Sequence, residues 1–360
     1  MSAKDNFSVL LLDWFNRHGR HDLPWQSQPA DIYRVWISEI MLQQTQVATV
    51  IPYFNRFTAR FPNLQALASA DEQQVLALWS GLGYYARARN LLSCARLLMQ
   101  DHGGVFPRTA VALAYLPGIG PSTAAAIAAT VYGERAAILD GNVKRVLARL
   151  TCAQAPWGSL ALERSLHAEA IDRLPEHAAA MPAYTQAIMD LGATVCTARN
   201  PDCAQCPVQG CCTAYKAGQV SAFPRPRIKK EIPVRQAFWA VLMNKNSVWL
   251  SQQASPGIWG GLWAPWILDL DHPPQNWLEI SKCRVEVIEM DHAFTHFRLR
   301  ISAGVFHVNR LPQGLPSNLQ KISWAEVFAR PLPTPVKSLL LKLCPSEQAI
   351  GGEQRKRKKP

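Results

Sequence analysis

Five residues, Leu116-Pro117-Gly118-Ile119-Gly120, constrain this chain more than any other stretch. Proline and glycine cannot continue a helix comfortably, so a tight turn must separate the apolar run before them from the alanine-rich run Ser122 to Thr130. The pattern predicts a helix-hairpin-helix whose turn exposes the backbone N–H groups of Gly118 and Gly120 at the start of the second helix. Such a helix start offers donors and the positive end of a dipole, which suits a phosphate oxygen of a nucleic-acid backbone. Asp140 follows at the head of a further helical pattern, GNVKRVLARL. Read blandly, LPGIG is an ordinary helix-helix turn, Asp140 an N-cap for the amides of Asn142 or Val143, and Lys144 its i+4 ion-pair partner.

A chain of 360 residues, 48% of them hydrophobic, can bury a full core and divides most simply into two domains. Its first apolar run, SVLLLDWF, is broken by Asp13 and lacks a basic leader and a small-residue cleavage site, so it reads as an amphipathic helix. No stretch is long enough to span a bilayer, and no membrane partner is expected. The net charge of +12 favours a polyanion as partner. Nine cysteines, an odd and uneven set, point to a reducing compartment and a metal site rather than a disulfide framework.

Along the chain, HGRHDLPW is turn-rich, and from Tyr33 the segment WISEIMLQQTQVATVIPYF reads as one long helix. Glu39 lies within it. An arbitrary helical glutamate is solvated, but Ile37, Ile40, Met41 and Leu42 surround this one, and a position facing the core would raise its pKa by desolvation. In LWSGLGYYARARNL, Gly81 and Gly83 form a turn ahead of a helix, with Tyr84 and Tyr85 either packed in the core or offered to a nucleic acid. Helical patterns run on from Leu162 to Ala193. Cys196, Cys203, Cys206 and Cys212 then form a C-x6-C-x2-C-x5-C run that can close around zinc or an iron-sulfur cluster, with Cys211 an alternative fourth ligand. Cys94, Cys152, Cys283 and Cys344 read as buried thiols.

FPRPRIKKEIPV is a Pro-rich basic connector that marks a domain boundary. Beyond it, AFWAVLMNKNSVWLSQQ reads as two strands around an Asn-Lys-Asn turn, with further strands at CRVEVIEM and HFRLRISAGVFHV and a helix near Val336 to Leu343. Seven of the twelve tryptophans lie in this part, which therefore has its own aromatic core. The basic end, EQRKRKKP, has nothing apolar to pack and reads as a disordered tail with non-specific phosphate affinity. The expected domains are 1–222, containing the cysteine loop 196–212, a linker 223–235, a second domain 236–345 and the tail 346–360.

These motifs together resemble the MutY-type adenine DNA glycosylases of the helix-hairpin-helix superfamily, and the resemblance runs from HGRHDLPW through LPGIG, ILDGNVKRVLAR, MDLGATVC and the cysteine loop to WGGLW and FTHFRL. It implies a multidomain fold: an all-α helix-hairpin-helix glycosylase domain with an iron-sulfur cluster loop, plus a smaller α+β Nudix-like domain. It implies a [4Fe-4S] cluster on Cys196, Cys203, Cys206 and Cys212, the last chosen over Cys211 by the family spacing. It implies Glu39 as the donor of a proton to adenine N7 and Asp140, held ionised by its helix N-terminus, as the anion that stabilises an oxocarbenium-like sugar. Substrate contacts fall on Arg20, Trp25, Gln43, Tyr84, Leu116, Gly118, Gly120, Ser122, Asn142 and Gln186. The second domain, which shows no acidic Mg2+-binding cluster after Gly257, is expected to read 8-oxoguanine through Phe294, Thr295 and His296, where Thr295 stands for the family's Ser.

The resemblance thus implies a bacterial cytoplasmic, nucleoid-associated monomer that flips adenine out of duplex DNA at A:8-oxoguanine or A:G mispairs and excises it hydrolytically. An endonuclease III-type enzyme shares the hairpin, the Asp and the cluster, but its bifunctional members carry a lysine where this chain has Ser122, and a hydroxyl cannot form the imine that strand cleavage requires. Lys144 leaves room for a weak side reaction. A non-enzymatic DNA-binding redox sensor would have no use for paired Glu39 and Asp140.

Overall fold

A computed structural model describes residues 5–228, 231–255, 257–268, 284–311 and 315–345. They form two compact units: one gathers the described residues up to Ser69 and those from Asn90 to Ile228, the other gathers Ala70–Arg89 with those from Glu231 onward. No helix among the described residues is long and apolar enough to cross a membrane.

The first unit is helical. α1 (Asp5–His18) carries the broken apolar run SVLLLDWF and buries Phe7, Leu11, Trp14 and Phe15. The long helix expected after Tyr33 is instead two: α2 (Ile32–Leu42), capped by Asp31, whose carboxylate accepts from Tyr33 N at 2.8 Å, and α3 (Val47–Arg60). They part at Gln43-Gln44-Thr45-Gln46, where Gln44 takes the left-handed φ of +58°. That polar run has no apolar face to bury, and packing rather than propensity holds most helices together. After it α3 starts a new buried stripe of Val50, Phe54 and Phe57.

The hairpin forms as expected: a single helical turn α4 (Ala110–Leu113), the turn itself, and α5 (Pro121–Tyr132). Pro121 at the first helical position needs no N–H there, and Gly133 at φ +68° closes the other end. Ala124 to Ala129 are buried, so small side chains bring neighbouring helices close to α5. α6 (Gly141–Thr151), α7 (Leu160–Asp172) and α8 (Met181–Asp190) complete the core around Leu147, Leu166, Tyr184 and Ile188, and α8 runs on as a π-helical turn, Leu191–Val195.

The second unit is a mixed sheet. β1 (Val234–Met243) and β2 (Ser247–Gln252) flank the expected Asn-Lys-Asn turn, followed by β3 (Trp263–Ala264), β4 (Trp266–Leu268), β5 (Arg284–Ala293), β6 (Arg298–His307) and β7 (Gln320–Ser323). The order is β3-β2-β1-β6-β5, with β1 and β6 parallel and β5 and β6 antiparallel. Alternation along β1 sends Trp239 and Val241 to one face, under the helix Thr334–Leu343, and Ala240 and Leu242 to the other with Trp249 and Phe306.

The segment Ala70–Arg89 packs on this sheet unit. Gln73 Nε2 donates to Gly261 O at 2.9 Å, Tyr85 OH to Leu332 O at 3.0 Å and Arg89 Nη1 to Gly260 O at 2.6 Å. Of the four scattered cysteines expected to be buried, Cys94 is, whereas Cys152 and Cys344 are half-buried. Cys152 occupies the left-handed cap that ends α6, at φ +52°. Cys283, the basic tail 346–360 and residues 269–279 of the stretch expected to lack an acidic cluster lie outside the described residues.

Candidate active site and cysteine loop

The hairpin turn presents backbone. Gly118 and Gly120 are exposed, while Leu116 and Ile119 are buried, so the Leu116 side chain anchors the turn in the core and only its backbone can meet a ligand. Gly118 has φ +78°, and a Cβ there would stand 2.7 Å from Asn90 Cβ; conformation and space both require glycine. Two contacts then tie α5 to the residues around it. Ser122 Oγ accepts from Leu139 N at 3.0 Å, which fixes the segment leading into Asp140, and Gln43 Nε2 donates to Thr123 Oγ1 at 3.2 Å.

Asp140 is the N-cap of α6, as the bland reading had it. Its Oδ1 accepts from Val143 N at 2.7 Å and its Oδ2 from Asn142 Nδ2 at 3.2 Å. Lys144 is not its ion-pair partner; Nζ lies 2.6 Å from Glu163 Oε1 on α7. The helix N-terminus is one influence on Asp140 among several: burial pushes its pKa above the ordinary value, against the lowering by the Val143 and Asn142 amides and by Arg145. Glu39, half-buried on α2 among Trp36, Ile37, Ile40 and Met41, is pushed up to about 7, chiefly by desolvation and further by the charge of Asp140. Two carboxyl groups close enough to feel one another therefore differ in environment: one hydrogen-bonded by amides at a helix start, the other among apolar side chains.

Arg20 and Gln186 converge on a residue that sequence reasoning passed over. Asp190, fully buried at the end of α8, accepts from Arg20 N at 2.8 Å, from Arg20 Nε at 3.0 Å and from Gln186 Nε2 at 2.8 Å. A carboxylate four residues after Gln186 and flanked by Met189 and Leu191 was the available signal. Trp25 is buried, edge-on to Phe54 at 5.4 Å between centroids. Gly192 is also structural: a Cβ there would fall 2.6 Å from Asn142 Cβ. Arg145 completes the cluster, donating through Nη2 to Asn142 Oδ1 at 2.9 Å and to Gly192 O at 2.7 Å, and through Nε to Cys196 O at 2.8 Å.

Cys196, Cys203, Cys206 and Cys212 line one pocket with Arg149, Val195 and Tyr215. Among the described residues no group of three or more His, Cys, Asp or Glu side chains is arranged to hold a metal ion. Four cysteines around one space are a donor set suited to zinc or to an iron-sulfur cluster. Burial and mutual repulsion raise Cys203, Cys206 and Cys212, with Cys206 pushed up to about 12, so these three thiols stay protonated unless a bound cation offsets the cost. Arg149, buried on the apolar face of α6, binds this loop through Nη1 to Cys196 Sγ at 3.3 Å and to Thr197 O at 2.7 Å, and through Nη2 to Ala198 O at 3.1 Å. Cys211, the alternative ligand, packs against the helical core as Cys196, Cys206 and Cys212 do, but is not among the residues lining that pocket.

In the second unit, the two tyrosines divide. Tyr85 is buried, while Tyr84, at φ +49°, is half exposed and its hydroxyl lies 3.3 Å from Thr295 Oγ1. Thr295 and His296 are exposed at the tip of the β5–β6 turn, closed by Phe294 N donating to Phe297 O at 2.9 Å, and the two phenylalanines stack beneath it at 4.4 Å.

Residues 37–165 match the HhH-GPD superfamily base excision DNA repair protein family, and residues 238–342 match the NUDIX domain family. The chain is 34% identical over 341 residues to an adenine DNA glycosylase of Buchnera aphidicola subsp. Acyrthosiphon pisum, which covers 93% of this chain and 96% of that relative. It is 45% identical over 237 residues to an adenine DNA glycosylase of Mus musculus, covering 62% of this chain and 45% of the mouse protein. Among solved structures, a thermostable thymine-DNA glycosylase matches 60% of this chain with a TM-score of 0.52 and 26% identity. An endonuclease III from a non-covalent DNA complex shares the fold over 61% of the chain, with a TM-score of 0.50 at 21% identity.

Proposed function

Since this chain belongs to the adenine DNA glycosylase family, we propose that it hydrolyses the N-glycosidic bond of adenine paired with 8-oxoguanine or guanine in duplex DNA, leaving the strand intact. One observation carries the reading: burial beside Asp140 pushes Glu39 up to about 7, so this carboxyl group holds a proton near neutrality. Adenine leaves as a neutral base only if a ring nitrogen is protonated as the bond breaks, and Glu39 is the group we assign to give that proton. Positive charge then develops on the sugar, where Asp140 supplies the opposing anion. Its cap geometry fixes the direction in which that carboxylate points.

The adenine must first leave the stack, which costs roughly a few kcal/mol and less in a mispair. The exposed amides of Gly118 and Gly120 are suited to holding the flanking phosphates, Gln43 to filling the gap, and Gln186 and Arg20, fixed by Asp190, to bordering the base. For the four cysteines we assign a [4Fe-4S] cluster, which when bound would cross-link the loop that carries the exposed Arg199, a cation able to meet phosphate, rather than take part in bond cleavage. The hydrolytic, non-cleaving reading is supported by Ser122, which carries no amine, and by the ion pair of Lys144 with Glu163.

Adenine is a normal base, so discrimination must come from its opposite. Thr295 and His296 at the exposed turn tip are the groups assigned to it. Single-turnover excision on A:8-oxoguanine and A:G duplexes, resolved for free base and for strand breaks, tests the whole reading. Expected are free adenine, an intact strand before alkali, and faster turnover opposite 8-oxoguanine. A strand nick concurrent with base loss, or release of a pyrimidine instead, would overturn it.

A further inference from the structure

The tip of the β5–β6 turn stands on a chain of rings that reaches the core. Phe297 stacks on Phe294, Phe294 meets Trp259 at 5.5 Å, and Trp259 meets the fully buried Trp239 at 5.6 Å. His292 closes the arrangement from β5, edge-on to Phe294 at 4.6 Å and 5.8 Å from Trp259. Trp259 is the only described residue with direct ring contacts to Trp239, His292 and Phe294 together.

Its backbone is held at φ +60°, a left-handed conformation that a bulky residue adopts only where its surroundings enforce it. Those surroundings are visible. Leu262 N donates to Trp259 O at 2.9 Å, and the next two residues are clamped through their carbonyls, Gly260 by Arg89 and Gly261 by Gln73. Both clamps come from the segment that carries Tyr84, whose hydroxyl contacts Thr295. Trp259 therefore stands where the support of the turn meets the support of the exposed tyrosine.

We propose that Trp259 and His292 are specificity-determining positioning residues, which hold the Phe294-Thr295-His296 turn and Tyr84 in the one relative placement that distinguishes 8-oxoguanine from guanine opposite adenine. The inference rests on the reading of that turn given above. A core prop would affect both substrates alike, since it would alter only how much protein is folded. A positioning residue instead moves the ratio of the two rates, because the lesion differs from guanine by a few polar atoms whose recognition depends on placement.

The test is single-turnover excision by the full chain on A:8-oxoguanine and A:G duplexes, with melting temperature and iron content measured on each variant. Trp259→Leu and His292→Ala should each lower the rate ratio by about fivefold or more while the A:G rate stays within about twofold of the parent, the scale of losing one or two aromatic pairs. Trp259→Phe, which keeps a ring in place, should recover most of the ratio. Thr295→Ala with His296→Ala serves as the control on the turn itself. If the control collapses the ratio and Trp259→Leu and His292→Ala leave it unchanged, the turn reading stands and the positioning role is wrong. An unchanged ratio in the control as well overturns both. Equal losses on the two duplexes, tracking a lowered melting temperature, would make Trp259 a core prop and overturn the proposal; if Trp259→Leu does not fold, His292→Ala decides by the same ratio.

Discussion

Asn142 Nδ2 donates to Oδ2 of Asp140 across 3.2 Å, while Asn142 Oδ1 accepts from Arg145 at 2.9 Å. The amide is thereby oriented by the partners on either side, and Asp140 is left with both oxygens directed by hydrogen bonds, one to the side chain and one to Val143 N.

Asp140→Asn should abolish excision with little loss of stability, because asparagine caps a helix about as well as aspartate but carries no charge. Single-turnover rates and a melting curve separate the two effects. Should the variant lose activity only in proportion to unfolding, the cap would be the whole role of Asp140.

Gly192→Ala should lower both activity and stability, although Gly192 is no part of the chemistry. Its added Cβ would fall 2.6 Å from Asn142 Cβ and 3.0 Å from the Asn142 carbonyl, so Asn142 must move and Asp140 loses its oriented partner. Overpacking of this kind costs roughly 1–3 kcal/mol. Urea unfolding alongside the excision rate checks it, and a variant with parental values in both would show that the neighbouring turn yields freely.

Much of this site was legible in the sequence because its signals are local. The hairpin glycines, the Asp140 cap and the Asn-Lys-Asn turn each depend on neighbours within a few residues, where backbone chemistry leaves few choices. What could not be read depended on partners far along the chain. Nothing in MLQQTQ shows that α2 ends at Leu42, since the break is decided by which faces find a core. Nothing near Asp190 shows that Arg20, 170 residues earlier, will bind it. The placement of Ala70–Arg89 with the sheet unit is of the same kind, set by carbonyls at Gly260, Gly261 and Leu332.

Glu39→Gln should lose excision yet gain stability at alkaline pH. The folded-state pKa of about 7 lies above the ordinary carboxyl value of 4.5, so the folded protein binds the extra proton between those values. Stability from keeping Glu39 neutral is therefore complete below about pH 4.5 and lost as pH rises through about 7. Glutamine never ionises, so at pH 8 the variant should exceed the parent by about 3 kcal/mol, and the excess should vanish near pH 4. Parental excision should also fall as pH rises through the same upper limit. Identical pH profiles of stability for parent and variant would refute the burial of this carboxyl group.

The purified protein should be brown and carry about four irons per chain. One zinc without iron would refute the assignment. Cys203→Ser should lower iron content and weaken DNA binding before it slows bond cleavage in molecules that remain bound, because the loop Thr197 to Cys212 holds Arg199 rather than a reacting group. Arg149→Met should act in the same direction, since its buried guanidinium holds Cys196 Sγ and the carbonyls of Thr197 and Ala198. Binding measured at several salt concentrations would show the phosphate contribution directly.

Ser122 has a second role that limits what a lysine could do in its place. Its Oγ accepts from Leu139 N at 3.0 Å, one residue before Asp140, so Ser122→Ala leaves a half-buried N–H without that acceptor and should cost about 1 kcal/mol along with some excision rate. Ser122→Lys loses the same acceptor, but it places an amine on α5 beside the segment that carries Asp140. That amine can attack the sugar carbon exposed by base loss, forming an imine and opening the strand by elimination. The expected result is slower adenine release than the parent together with a borohydride-trapped protein-DNA adduct that the parent and Ser122→Ala do not give. Absence of the adduct from an active Ser122→Lys would mean that this position does not face the sugar, and the hydrolytic outcome would then need a cause other than the missing amine.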